Sequence, residues 1–161
     1  MAHTISVCIS DNARLYIFAA LLLFMPLAFA QIGEPKTPEG KLARSAGTYL
    51  GVIEYVRVLK QSDCAYAFRR TFPSFNEVLR KEILPAFPPA DRSEVEATMN
   101  KMKPALARQA QEFVADIITA AKKDLDPKTE CGVAAGMLAA IGSQASEGWN
   151  SAKRQYGWKE R

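Results

Sequence analysis

The stretch SEVEATMNKMKPALARQAQEFVADIITAAK, residues 93–122, carries Val95, Met99, Met102, Leu106, Ala110, Phe113, Ile117 and Ala121 at steps of three and four. That spacing is the repeat of an α-helix with one apolar face, and no alternation of period two competes with it. The helix is expected to begin at Asp91 or Ser93. Pro104 lies within it; a proline removes one backbone hydrogen bond and crowds the carbonyl one turn back. A kink or a division into two helices is therefore expected near Lys101 to Lys103.

The same period recurs on either side. Upstream, Pro85, Pro88 and Pro89 forbid a continuous helix, and Phe87 between them is expected to plug the connection onto the core. Ser74-Phe75-Asn76-Glu77 fits a capping box, in which Ser and Glu satisfy each other's free amides. A short helix should follow to about Leu84, presenting Val78, Leu79 and Ile83. Thr37-Pro38-Glu39 offers a cap, a proline at the first helical position and an acid in the first turn. The helix it opens should run to about Gln61, with Leu42, Ala46, Tyr49, Leu50, Ile53 and Val56 on one apolar face. After a break near Ser62-Asp63 a continuation through Cys64, Ala67 and Phe68 is expected, ended by Pro73. Gly40, Gly47 and Gly51 weaken that helix but stand where a neighbour could approach closely.

Downstream, Asp126-Pro127 repeats the cap-then-proline device. Val133, Ala134, Met137, Leu138, Ile141, Ala145, Trp149, Ala152 and Tyr156 trace a buried face, and Gly157 is a natural stop. The pattern predicts an all-α protein: a single domain, an irregular antiparallel bundle of four to five helices stapled by one disulfide.

Leu15 to Ala30 reads LYIFAALLLFMPLAFA, an uncharged apolar stretch that follows Arg14 and ends in Ala28-Phe29-Ala30. Its length and small-x-small end read as a secretory signal peptide (residues 1–30) cleaved before Gln31, not as an anchor, which needs about 20 apolar residues. Residues 31–36 then form a flexible lead, and residues 37–161 the helical domain. Periplasmic or secreted localisation is the expectation, with no integral span after cleavage. Cys8 leaves with the signal, so Cys64 and Cys131 remain, an even number in an oxidising compartment, and a disulfide between them is expected. None of Asn12, Asn76, Asn100 and Asn150 begins an N-x-Ser/Thr acceptor, which favours a bacterial source.

The chain is 48% apolar and 24% charged, the composition of a packed domain, and its formal charge is +4. Lys and Arg are interspersed with Asp and Glu, so no stripe for nucleic acid forms. The only histidine is His3, ahead of the export signal. The mature chain thus has no imidazole base or ligand, which excludes histidine-dependent triads and the usual zinc sites. No phosphate-binding or dinucleotide string is present, and no cofactor or metal is expected. What remains open to catalysis is a carboxylate pair, Glu112 with Asp116, or Glu54 facing one of them, as an envelope glycosidase would need. Their spacing is also that of an exposed helix face, where they are expected to lie.

Recognition has two candidate regions. One is Phe68 to Phe87, where Arg69, Arg70 and Phe72 combine the aromatic and Arg character of interfaces. The other is the C-terminus, where Trp149, Tyr156 and Trp158 lie among Lys153, Arg154, Lys159 and Arg161; Trp158, beyond Gly157, either folds back onto the bundle or anchors a partner. Gly132, Gly136 and Ala140 form a row of small residues, with Ala135, Ala139 and Ser143 beside it. Close packing against another helix of the bundle is the first expectation for that row, and a homodimer seam the second. The sequence favours an exported, non-catalytic helical binding protein of the bacterial envelope, an inhibitor, immunity-type protein or small chaperone acting on another envelope or secreted protein. The alternatives are a carboxylate-dependent glycosidase and a surface-associated structural protein.

Overall fold

A computed structural model describes residues 35–67, 72–122 and 127–159, with side chains left out at 120–130. The signal stretch, the lead up to residue 34, Phe68, Arg69, Arg70, Asp126 and Arg161 lie outside the described residues. Among those described there is no strand and 85% are helical, so the all-α class stands.

Helix α1 (Pro38–Gln61) starts as its sequence dictates: the Thr37 hydroxyl accepts from the Gly40 amide at 3.1 Å, and Pro38 occupies the first turn. A 3-10 turn at Ala65–Ala67 follows. The capping box holds in part, with the Ser74 hydroxyl accepting from the Glu77 amide at 3.2 Å. The helix it opens is not uniform. An α-helical turn, α2 (Phe75–Val78), widens into a π turn (Leu79–Ile83) and tightens into a 3-10 turn (Leu84–Ala86). Pro85 sits in that last turn, and Phe87, buried as expected, closes it by donating its amide to the Leu84 carbonyl at 3.1 Å. Helix α3 (Arg92–Lys122) and helix α4 (Pro127–Tyr156) complete the domain.

Side-chain pairings give the directions. Gly51 faces Leu106 and Tyr55 lies against Phe113 at 4.9 Å between ring centroids, so α1 and α3 run parallel. Gly142 faces Val52, and Cys64 is bonded to Cys131 with Cα atoms 5.0 Å apart, so α4 runs antiparallel to α1. The α2 segment runs against α3, with Lys103 reaching Asn76 at 3.2 Å and Arg80 meeting Glu96 at 3.5 Å. The course is up, down, up, down. Because the second arm is short, α1 and α3 meet directly where an ordinary four-helix bundle would hold them apart on a diagonal.

That meeting changes the expected role of α1. Leu50, Gly51, Val52, Ile53 and Glu54 are all buried, as are Leu42, Ala46, Val56 and Leu59. A helix with one apolar face cannot bury five successive residues, so α1 is an enclosed helix packed on several sides. Glu54 is the cost of that position: Arg57 donates from Nε to its Oε2 at 2.6 Å, while Oε1 has no partner among the described residues.

Of the kink or division expected near Lys101 to Lys103, the division is not found: helix α3 is continuous through Pro104. The proline is exposed, and Lys103 on Phe75 and Leu106 on Gly51 fasten the chain on both sides of it. Gly157 ends α4 as expected, and without a left-handed conformation, since no described glycine has positive φ. Its amide donates to the Lys153 carbonyl at 2.9 Å, and an added Cβ would collide with that oxygen, so glycine is required there by contact.

Candidate functional site

An open concavity lies along α1 and α4. On α1 it is lined by Tyr49, Val52 and Ile53, and on α4 by small side chains from Gly132 to Ser146, with Glu147 at the end; Ala67, Phe72 and Pro73 of the connection form one lip. Its volume is 870 Å³, and it is an open groove. The lining of α4 from Gly132 to Glu147 spans about 22 Å at 1.5 Å per residue.

The row of small residues behaves contrary to the first expectation. Gly132, Gly136 and Ala140 are exposed, and a Cβ added at Gly132 or Gly136 would meet nothing within 4 Å. Among the described residues no helix closes on them, because α1 packs on the adjoining row, where Ala134, Ala135 and Leu138 join the core with Val56, Leu59 and the disulfide. The glycines keep the backbone of α4 bare along the groove floor.

The groove is graded. At the end near the disulfide it is apolar, with Phe72 resting on the core cluster and the Lys60 ammonium 5.9 Å from its ring centre. At the other end the Tyr49 hydroxyl meets Ser146 of α4 and Glu82 of the π turn. Its pKa is raised, first by burial and then by the negative charge of Glu82.

The other residues singled out from sequence are scattered. Trp149 is 1% exposed and fills the core, so it presents nothing to a partner. Tyr156 is half-buried, with the Lys41 ammonium 5.5 Å from its ring centre. Trp158 turns back onto the bundle: its amide donates to the Ala86 carbonyl at 2.8 Å and the Arg92 guanidinium lies 5.6 Å from its ring centre. Of the remaining candidates Phe72 lines the groove, and Arg69 and Arg70 lie outside the described residues. Glu112 and Asp116 are exposed on α3, and Glu54 is 1% exposed within the core and does not line the groove. Neither Glu112 nor Asp116 lines the groove.

Tyr49 and Ser146 were missed as site residues by sequence reasoning. Tyr49 reads as one more member of an apolar stripe, and what marks it as different is Glu82, which the π turn brings across from another element. Among the described residues no helix is long and apolar enough to cross a membrane. The chain matches no known family model, no curated protein and no solved structure.

Proposed function

We propose that the protein is an exported, non-catalytic binding protein of the bacterial envelope, and that it receives an apolar-faced helix of another envelope protein in the α1–α4 groove. One observation carries the reading: the floor at Gly132 and Gly136, left uncovered by the described helices, in a groove whose α4 lining runs for about four turns. Glycines one turn apart let a second helix backbone approach closely, as small residues do wherever helices pack tightly. Phe72, Val52 and Ile53 offer an apolar wall for its anchors, and Tyr49, Ser146 and Glu147 offer hydrogen bonds at one end. The Cys64–Cys131 bridge supports an oxidising compartment, since such bonds persist there.

A photo-cross-linking residue placed at position 136 tests this in cells. A discrete adduct with one protein is expected, lost when Gly132→Leu fills the floor, and absent when the probe sits at Gln111 on the exposed face of α3. No adduct at 136, or the same adducts from both positions, would refute the groove as the binding site.

A further inference from the structure

At the pole opposite the disulfide, the start of α1, the start of α3 and the end of α4 are gathered by three contacts already described: Lys41 on Tyr156, Arg92 on Trp158, and the Trp158 amide on Ala86. Lys36, Arg44, Lys153, Arg154 and Lys159 are exposed there. With Lys41 and Arg92 they make seven cations among the described residues, against the described carboxylates Glu39, Asp91 and Glu94, a net +4. None of the seven takes part in an ion pair among the described residues, whose pairs all lie elsewhere. Two half-buried aromatic rings, Tyr156 and Trp158, stand among these cations.

We infer that this pole docks the protein on an anionic phospholipid surface. Cations beside Tyr and Trp suit the headgroup layer, where the rings settle at the polar boundary and the charges meet lipid phosphates. The two rings favour lipid over an acidic protein, since Tyr and Trp combine an apolar body with a polar tip that suits the boundary between headgroups and acyl chains. The groove opens on the α1–α4 flank and remains accessible in that orientation.

The full chain is tested by sedimentation with phosphatidylglycerol-containing vesicles and with pure phosphatidylcholine vesicles; the zwitterionic set reports any purely apolar attachment. Binding to the anionic set should be stronger by about tenfold or more and should weaken on raising salt to about 0.5 M. The Lys153→Glu/Arg154→Glu variant, altered at exposed positions, should lose most of that difference, whereas Lys101→Glu/Arg108→Glu on α3, an equal change in net charge, should keep it. Equal binding to both vesicle types overturns the proposal. So does an equal loss in both variants, which would assign the effect to net charge, and so does binding to soluble polyglutamate without binding to vesicles, which would assign the pole to acidic proteins.

Discussion

On α1, a Cβ added at Gly51 would stand 3.5 Å from Leu106 Cδ2, in ordinary contact, whereas on α4 Gly132 and Gly136 meet nothing within 4 Å. The two helices lie side by side and use the same residue in opposite ways. In α1 the missing side chain brings α3 close, and packing offsets the poor helix propensity. In α4 the propensity cost of roughly 1 kcal/mol per glycine is not recovered by packing among the described residues. A helix that could have been stabilised by alanine at these positions instead keeps a bare floor, which is the physical reason for proposing that a partner binds along α4.

The largest effect should come from cutting the tie between the two helices. With a sequence separation of 67 between Cys64 and Cys131, the loop-entropy treatment gives the bridge about 4 kcal/mol. Cys64→Ser/Cys131→Ser should lower unfolding free energy in urea by about that amount, because the end of α1 and the start of α4 would no longer be held together in the unfolded chain. A loss under about 1 kcal/mol would mean that the unfolded chain is already restricted without it.

The comparison itself can be broken by one substitution on each side. Gly51→Leu forces a branched side chain into the contact with Leu106 and should cost about 1–3 kcal/mol. Gly136→Leu places the same side chain in open groove and should stabilise α4 by up to about 1 kcal/mol while abolishing partner capture. Thermal or urea unfolding of the two variants decides the matter, and the sign is the test. A destabilised Gly136→Leu protein would mean that the floor is covered after all.

How far this was legible in sequence depended on whether a feature was local. The caps at Thr37 and Ser74, the proline at the start of α4 and the pairing of Cys64 with Cys131 follow from residues acting on their neighbours or from counting. The burial of α1 on several sides did not, since Tyr49, Ile53 and Val56 read as one stripe, and only the shortness of the second arm lets α3 come in from another direction. That shortness depends on the π and 3-10 turns after Val78, for which the prolines gave a limit but no geometry. The small-residue row of α4 was visible as a pattern. Its exposure was not, because the identical pattern serves close packing when a helix lies over it.

The smallest effect concerns Tyr49, where the two helices and the π turn meet. Its hydroxyl is held neutral to higher pH than usual, by burial first and by the Glu82 charge second, with the Ser146 hydrogen bond opposing in part. The unfolded chain therefore gives up this proton at lower pH than the folded one, near pH 10. By linkage, the stability that the neutral hydroxyl contributes is fully present below that value and is lost as pH rises through the raised folded value. Melting temperature should accordingly hold level up to about pH 9 and decline above it. Tyr49→Phe, which cannot ionise, should make that decline shallower without removing it, since burial also raises Tyr55. Glu82→Gln should act in the same direction and less strongly, because it removes the second cause and leaves the first. If Tyr49→Phe melts along the wild-type curve through this range, the junction of α1, α4 and the π turn is looser than its geometry indicates, and the polar end of the groove is open to water where a partner's helix would need a firm wall.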